Sequence, residues 1–541
     1  MPGSSRMGEI SRISSRYIDD VVAADPVRGT TMGVDLSSTE LTDYSPEGFE
    51  RRADLYRRTL DALVEAEPED DAERLGRLFL VEQLQGELAL DAAGERERYV
   101  SILRAPQSSA RMVFDLMPKD TPEQLALVGE RLRKVPDALA GYRRTLEEGL
   151  ASGRVAPRVS VEAVADQCRT WSEGYFASFP EGVDEPARVA GAAYAELGSW
   201  LRTSYLPSAT EHIGCGEERY RMWSRVMLGA ELDLDETYAW GWAELERIER
   251  EKTEECARIL PGATFEETRD HLNRDPAQLL HGADAYRDWL QEVSDAATAR
   301  LNGWQFDIPE PLLRCEIGIP PEGSAAAAYY TPPSEDLSQP GRTWFPTVGK
   351  TEFPKWDQVT IAYHEAVPGH HLQLGMLRLL SLTRAHKLGF QSAHGEGWAL
   401  YAERLMDELS LFESPPDRLG FLASQAFRAV RVVVDIGLHT GRPLPDGRAW
   451  SFDLASAHLQ RHGGYPKPFA DSEVLRYISW PAQATTYKLG ERAWLAGRDA
   501  ARAEQGASFD LKRWHADALA MGALGLRDLE AELVRCGAVS T

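Results

Sequence analysis

Three histidines and a glutamate lie close together in the segment HEAVPGHH, residues 364–371 of the chain. Imidazole nitrogens and carboxylate oxygens are common protein ligands of zinc. In the HExxH helix of many metalloproteases the two ligand histidines are four residues apart, so that both face the ion from one side of the helix. Here His364 is followed by His370 and His371, six and seven residues later, with a proline and a glycine in the interval.

This spacing excludes a shared ion if the helix is continuous. Each residue of an α-helix turns about 100° and rises about 1.5 Å, so His370 would point about 120° away from His364, and His371 would lie about 10.5 Å along the axis. Pro368 cannot donate to the carbonyl of His364 and clashes with it, while Gly369 permits an unusual backbone. A bulge there would return His370 to the place of an i+4 histidine. We therefore favour His364 and His370 as ligands, with His371 as the alternative second ligand.

Two further glutamates have positions that suit chemistry at such an ion. Glu365 follows the first histidine as the general base of an HExxH helix does, beside the ion and able to take a proton from water. Glu396 lies 26 residues after His370, between two glycines at the start of a predicted helix, where a carboxylate can be approached closely. Glu403, seven residues later on the same helix face, is a candidate to orient a ligand histidine.

The elements that must position these side chains are mainly helices. Apolar residues recur at helical spacing, as in residues 10–21. The helix that carries His364 is predicted to begin at Asp357, which would be its N-cap. The preceding residues 304–355 are rich in proline and glycine and predict short strands at RCEIGI, AAAAYY and RTWFPTV. These strands would form a small sheet beside the histidine helix, and a sheet edge can hold an extended peptide by backbone hydrogen bonds.

Length, charge and cysteine usage exclude several classes of protein. With 541 residues the chain exceeds the roughly 250–300 residues of one ordinary core, so two lobes or one large helical unit are expected. A net charge of −25 argues against a nucleic-acid partner. No apolar run approaches the roughly 18 residues that span a membrane. Five scattered cysteines fit neither a disulfide framework nor a thiolate metal site. We predict a soluble, cytoplasmic protein without a membrane partner, its oligomeric state left open.

Several segments together resemble a known bacterial family. HEAVPGHHLQ, EGWALYAE and RYISWPAQATTYKLG are similar to the family of unknown function DUF885. The similarity extends over nearly the whole chain, including YIDDVVAADPVRGTTMGV, YYTPPS and RAVRVVVDIGLH. That family is related in pattern to gluzincin peptidases of the angiotensin-converting-enzyme and oligopeptidase type. One departure is that the family often has PGQA where this chain has PAQA at residues 481–484. The difference concerns the backbone conformation at residue 482.

The resemblance implies a fold and a division of the chain. With the chain length and the proline-rich segment, it leads us to expect a mainly α, two-lobed fold of many helices with a deep active-site cleft and a small β-sheet next to the metal-binding helix. Residues 1–303 would form an N-terminal helical part. Residues 304–541 would form the metal-binding catalytic part, and the two would make one peptidase-like unit.

The resemblance also implies roles for individual residues. Glu396 would be the third metal ligand, because gluzincin peptidases take that ligand from a glutamate on the following helix. Tyr477, next to Arg476, is similar to a tyrosine that stabilises the tetrahedral oxyanion in converting-enzyme-like peptidases, and Tyr487 is the second candidate. Arg476 and His371 would contact the substrate.

The helix predicted at RAVRVVVDIGLH offers further substrate contacts. Arg428 and Arg431 are candidates to bind a substrate carboxylate with two hydrogen bonds each. His439 lies four residues after Asp435, so the two side chains can meet on one face of the helix and face the substrate.

These residues and the resemblance together imply a zinc-dependent hydrolase that cleaves a peptide or another small amide bond. His364, His370 and Glu396 would hold one Zn²⁺ or another divalent ion and leave a position for water. Glu365 would deprotonate that water and return the proton to the leaving nitrogen. Two alternatives stay open: a non-haem iron enzyme with two histidines and one carboxylate, and a catalytically silent binding protein on the same scaffold.

Overall fold

The structure is a computed structural model that describes residues 7–320 and 327–538. These residues are mainly helical, with a few short strands, and the predicted mainly α fold of many helices is confirmed. Within this described part, no helix is both long enough and apolar enough to cross a membrane.

The described residues form 23 α-helices and five short strands. The α-helices are α1 (Glu9–Ala24), α2 (Pro26–Thr31), α3 (Pro46–Glu65), α4 (Asp71–Ala92), α5 (Pro106–Leu116), α6 (Pro122–Leu132), α7 (Val135–Ser152), α8 (Arg158–Thr170), α9 (Asp184–Trp200), α10 (Glu217–Leu228), α11 (Leu234–Ile259), α12 (Phe265–Leu272), α13 (Ala283–Leu301), α14 (Val359–Glu365), α15 (His370–Leu379), α16 (Arg384–Leu388), α17 (Ser392–Glu408), α18 (Pro415–Thr440), α19 (Phe452–Gly463), α20 (Lys467–Ser479), α21 (Thr486–Gln505), α22 (Leu511–Ala520) and α23 (Leu526–Leu533). The strands are β1 (Leu279–His281), β2 (Glu316–Gly318), β3 (Tyr329–Thr331), β4 (Arg342–Trp344) and β5 (Glu352–Pro354). Two π-helical turns (Trp171–Tyr175, Leu201–Tyr205) and six 3₁₀ turns (Arg96–Arg98, Phe176–Ser178, Leu206–Ser208, Glu310–Leu312, Gln483–Thr485, Gly506–Ser508) complete the described elements.

The chain divides into two compact units. The first unit comprises Met1–Val226, Thr383–Ala385 and Ser472–Pro481, and the second comprises Met227–Leu382, His386–Asp471 and Ala482–Thr541. This division lies elsewhere than the predicted boundary after residue 303. The reason is that α11 packs along α18 and α13 packs against α14, so both join the unit that contains the histidine helix.

The first unit has a core of large buried side chains on α5 to α9. Tyr142 and Tyr194 are fully buried there, and each hydroxyl donates to a backbone carbonyl, that of Tyr99 at 2.7 Å and that of Gln107 at 2.6 Å. Buried tyrosine hydroxyls are stable only with such partners.

The second unit is organised around α17, α18 and α21. Helices α17 and α21 touch at Gly397 and Gly490, where a Cβ added to Gly397 would lie 2.5 Å from the backbone of Gly490. Since backbone atoms cannot give way to a methyl group, glycine is required for this approach. The close contact brings the helix of Glu396 against the helix of Tyr487.

Two small sheets precede the histidine helix in the second unit. In the larger sheet β4 is central, with β2 parallel on one side and β3 antiparallel on the other, and Tyr330 pairs with Thr343. Strands β1 and β5 form the smaller sheet, and neither strand was predicted from the sequence. The strands predicted at RCEIGI and RTWFPTV are confirmed, and that at AAAAYY is confirmed for its tyrosines, since its first two residues, 325 and 326, lie outside the described residues. The Thr343 hydroxyl donates to the carbonyl of Glu365 at 3.4 Å, so the sheet lies next to α14.

Candidate metal centre

The helix that carries the HEAVPGHH motif is interrupted. Helix α14 ends at Glu365 and α15 begins at His370. The predicted interruption at the proline and glycine is therefore confirmed, and it is a complete break rather than a bulge in one helix. The predicted start of the helix is wrong, because α14 begins at Val359 and the Asp357 carboxylate accepts a hydrogen bond from the Gln358 side chain instead of capping the helix.

The backbone of the break is tightly packed against the end of α14. The Val367–Pro368 peptide bond is cis, and the amide of Gly369 donates to the carbonyl of Tyr363 at 3.0 Å. A Cβ on Gly369 would lie 1.9 Å from the carbonyl oxygen of His364. Only glycine leaves room for this approach, so its presence in the motif has a steric reason.

Trp398 stabilises the break from the neighbouring helix. Its indole N–H donates to the carbonyl of Pro368 at 2.9 Å, and the side chain is completely buried. Trp398 lies two residues after Glu396 on α17, so one helix positions both the carboxylate and the break. The sequence shows Trp398 only as part of an apolar helix face and gave no signal of this contact.

His364, His370 and Glu396 converge at the break. Nε2 of His364 and Nε2 of His370 each lie 3.5 Å from Oε2 of Glu396, and all three atoms lie within 4.8 Å of one another. The two imidazole rings are nearly perpendicular, with centroids 4.9 Å apart. Two ligands about 2.1 Å from a tetrahedral zinc ion are about 3.4 Å apart, so the spacing fits one ion.

Several polar atoms of this cluster have no hydrogen-bond partner among the described residues. They are Oε2 of Glu396, Oε2 of Glu365 and Nδ1 of His370, all of them buried. Since buried polar atoms are almost always paired in native proteins, the two unsatisfied carboxylate oxygens beside the histidines suit a bound cation. The donor set and the orphaned atoms therefore both fit a divalent ion.

The carboxylates and imidazoles shift one another's pKa values. Burial would lower the pKa of His364, but its contacts with Glu396 and Glu403 outweigh burial and raise that pKa to about 9. Burial would raise the pKa of Glu396, but the two histidines hold it well below its usual range. Burial raises the pKa of Glu365, against the opposing effect of His364 and His370. A carboxyl with a raised pKa is suited to accept a proton near neutral pH.

Glu403 anchors His364 from the far side of the ring. Oε1 of Glu403 accepts from Nδ1 of His364 at 2.7 Å, and Oε2 accepts from the Thr360 hydroxyl at 2.6 Å. Because a carboxylate only accepts hydrogen bonds, Nδ1 of His364 carries a proton, and Nε2 of the same ring faces Glu396. The contact predicted between Glu403 and a histidine is thus present, and Thr360 was not foreseen.

Two buried arginines of α18 lie near these groups. Arg428 donates to the side chain of Ser424, and its Nη2 lies 3.9 Å from Oε1 of Glu403. The guanidinium of Arg431 lies 4.3 Å from the ring centroid of Phe427 and 4.7 Å from that of Tyr487. The Tyr487 ring in turn stacks on His364 with centroids 6.3 Å apart. The structure therefore brings Arg428, Arg431 and Tyr487 to the candidate centre.

His371 is turned away from the cluster. Its Nε2 lies 3.2 Å from the Leu312 carbonyl, and its Nδ1 lies 3.0 Å from the Tyr330 hydroxyl. Burial lowers its pKa to about 4, against the opposing effect of the Leu312 carbonyl, so the ring is neutral at physiological pH. With both nitrogens engaged, the ring offers no lone pair to an ion or a substrate in this arrangement.

His439 and Asp435 meet on α18 as the spacing predicted, with Nε2 and Oδ1 3.8 Å apart. The other carboxylate oxygen of Asp435 accepts from the backbone amide of Ala482 at 2.9 Å. Ala482 has a φ of +66°, the left-handed conformation that favours the glycine of the family pattern. Ala482 thus stands where the family pattern has glycine and adopts a left-handed backbone conformation.

Tyr477 and Arg476 lie on α20 in the first unit. The Tyr477 hydroxyl donates to Glu473 at 2.8 Å, and Nη2 of Arg476 donates to the same carboxylate oxygen at 2.7 Å. The substrate contact predicted for Arg476 and the oxyanion role predicted for Tyr477 stay predictions, as does the substrate contact of His439.

Comparison with known proteins gives a family and a fold. The family model described as "Bacterial protein of unknown function (DUF885)" matches residues 26–533. Two solved structures are similar. A "putative lipoprotein" from Colwellia psychrerythraea has 22% sequence identity and a TM-score of 0.83, with 98% of this chain and 99% of that chain covered. A "putative lipoprotein of unknown function" from Shewanella oneidensis has 16% sequence identity and a TM-score of 0.73, with 96% of this chain and 99% of that chain covered. At these identities the likeness shows the fold alone. Comparison with curated proteins gives no match.

Proposed function

The chain belongs to the bacterial family DUF885, and from that premise we propose that it is a metal-dependent hydrolase that cleaves a peptide or another small amide bond. One observation carries the proposal. His364, His370 and Glu396 converge at ligand spacing, and Glu365 lies beside them with a buried carboxylate oxygen that has no partner among the described residues.

The donor set supports a catalytic rather than a structural ion. Two imidazoles and one carboxylate are the protein ligands of hydrolytic zinc sites, which keep a further position for water or substrate. When bound, such an ion would polarise a carbonyl group and make a water molecule more acidic. We propose Zn²⁺, and another divalent ion fits the same donors.

Glu365 is the general base of the proposed reaction. Burial raises the pKa of its carboxyl, which makes the carboxylate a stronger base, and it takes a proton from water as the water oxygen bonds to the carbonyl carbon. It then gives the proton to the leaving nitrogen as the carbon–nitrogen bond breaks. The same donor set also occurs in non-haem iron enzymes. The unpartnered oxygen of Glu365 favours hydrolysis, because iron oxygenases need no such base.

We assign the oxyanion-stabilising hydroxyl to Tyr487. Its ring stacks on His364 and lies against the guanidinium of Arg431, and it belongs to the same unit as the three ligands. The resemblance favoured Tyr477 instead, so the two tyrosines are compared directly. We expect Tyr487→Phe to lower kcat about 10²-fold, as loss of an oxyanion donor does, and Tyr477→Phe to have the smaller effect.

The experiment that tests the function uses zinc-loaded protein and a panel of dipeptides, tripeptides and N-acyl amino acids, with products read by mass spectrometry. We expect hydrolysis of at least one class. Glu365→Gln should keep the ion and lose at least about 10²-fold in turnover, because general-base catalysis contributes that much. Full activity in Glu365→Gln, or bound iron with oxygen consumption, would contradict the proposal.

The cytoplasmic location is part of the same proposal. All five cysteines are free thiols in the structure, four of them buried. Unpaired cysteines are typical of reducing compartments. Fractionation of the native host tests this point, and recovery of the protein in the membrane fraction would contradict it.

A further inference from the structure

The second histidine of the HH pair has no part in the proposed reaction, yet it is almost fully buried. His371 is 1% exposed, and both of its ring nitrogens are bonded. Because the Leu312 carbonyl only accepts, the proton is on Nε2, and Nδ1 of the neutral ring accepts from the Tyr330 hydroxyl. These two bonds fix the tautomer and the orientation of the ring.

The partners of His371 come from two segments outside its helix. Leu312 ends a 3₁₀ turn and packs on α15, where a Cβ on Gly375 would lie 2.5 Å from the leucine side chain. Tyr330 lies on β3, and a Cβ on Gly341 would lie 2.0 Å from its hydroxyl. The start of α15 is therefore held between a strand and a turn, and Gly341 leaves the space for this contact.

The break explains why α15 needs such support. In a continuous helix the backbone itself fixes the distance between two ligand histidines. Here α15 begins anew at His370 and has only ten residues, too few to be stable without tertiary contacts. The position of His370 relative to His364 must therefore come from contacts outside the two helices.

One cross-strand pair contacts both sides of the break. Tyr330 on β3 and Thr343 on β4 are direct partners in the sheet. Thr343 donates to the carbonyl of Glu365, the last residue of α14, and Tyr330 bonds His371, the second residue of α15. The sheet thus connects the end of one helix to the start of the next.

We propose that the Tyr330–Thr343 pair is a clamp that holds His364 and His370 at ligand spacing, with His371 as the positioning residue through which it acts on His370. The clamp rests on the proposed function only in assuming an ion at the three ligands. It predicts that residues which touch no ligand atom set the affinity for the metal.

The test is the zinc affinity of folded variants, measured by competition with a chelator and with folding checked by circular dichroism. Tyr330→Phe removes one hydroxyl and keeps the ring, and His371→Gln keeps a donor for Leu312. We expect each variant to bind zinc about 10-fold more weakly or worse, the usual effect of losing a group that orients a ligand.

Matched controls separate positioning from general stability. Tyr142→Phe removes a hydroxyl as Tyr330→Phe does, but in the first unit, where the hydroxyl donates to a backbone carbonyl. His386→Gln changes another buried histidine, whose Nε2 lies 2.8 Å from the Ala523 carbonyl. Both should lower thermal stability and leave zinc affinity unchanged.

The two proposals fail in different ways. Wild-type zinc affinity in folded Tyr330→Phe and His371→Gln overturns the clamp and leaves the proposed function intact. A wild-type protein that binds no divalent ion overturns both.

Discussion

Nδ1 of His364 donates to Oε1 of Glu403 across 2.7 Å, from one helix to another. Glu403 is fully buried and lies seven residues after Glu396 on α17. One helix therefore supplies one proposed ligand and also orients another, His364 of α14. The hydrogen bond fixes the ring with Nε2 directed to the candidate ion, and the negative charge makes that nitrogen a better donor to a metal.

Loss of the Glu403 charge should weaken metal binding. In Glu403→Gln the amide still fills the space, but the ring of His364 loses a charged partner. We expect zinc affinity to fall about 10- to 100-fold, measured by calorimetry or chelator competition. Glu408→Gln on the same helix, which removes a partner of Arg498 near the surface, is the control. Equal affinity in Glu403→Gln and the wild type would rule out the orienting role.

The glycine of the break should not tolerate a side chain. Since a Cβ on Gly369 would lie 1.9 Å from the backbone oxygen of His364, Gly369→Ala must displace that carbonyl. We expect a loss of about 2 kcal/mol in unfolding free energy, as for other overpacked sites, together with weaker zinc binding. Gly174→Ala, whose Cβ would meet nothing within 4 Å, is the control. A Gly369→Ala protein with normal stability and zinc binding would contradict the packing described for the break.

Replacing Ala482 by glycine should stabilise the protein. A left-handed conformation costs an L-residue about 1–2 kcal/mol, and glycine removes this cost. The greater conformational freedom of glycine in the unfolded chain takes back about 0.5–1 kcal/mol of that stabilisation. We expect Ala482→Gly to raise the thermal unfolding midpoint. Ala484→Gly, in the adjoining 3₁₀ turn without a positive φ, should lower it. A lower midpoint in Ala482→Gly would show that residue 482 is not left-handed.

Acid should destabilise the protein partly through His386. Burial lowers the pKa of this histidine from 6.5 to about 4, although its bond to the Ala523 carbonyl acts in the opposite direction. Between these two values the unfolded chain binds more protons than the folded one, so stability falls as the pH drops from 6.5 to 4. The full contribution, present above pH 6.5, is on the order of 3 kcal/mol. Thermal midpoints of His386→Gln should therefore depend less on pH over this range than those of the wild type, and equal dependence would count against a buried neutral ring.

The break in the histidine helix was predictable because its cause is local. Pro368 and Gly369 act on the carbonyl of His364, a few residues away, so sequence spacing and backbone chemistry suffice. The contact of Glu403 with a histidine followed from helical spacing in the same way. The start of α14 was not predictable, because Asp357 has a capping side chain that bonds Gln358 instead.

Contacts between segments that are distant in the chain could not be predicted from the sequence. The bond from Trp398 to the break, and that from Tyr330 to His371, join residues 30 and 41 positions apart. Both side chains also fit an ordinary apolar or strand pattern. The two compact units differ from the predicted division for a related reason, since the packing of α11 on α18 depends on the whole fold.

We propose above all that His364, His370 and Glu396 hold one divalent ion. Elemental analysis of protein equilibrated with zinc and then dialysed against metal-free buffer tests it most directly, with His364→Ala as the comparison. We predict about one zinc ion per chain in the wild type, as for a three-ligand hydrolytic site, and little or none in the variant. No retained zinc in the wild type, or equal zinc in the variant, would show that these three residues do not hold the ion.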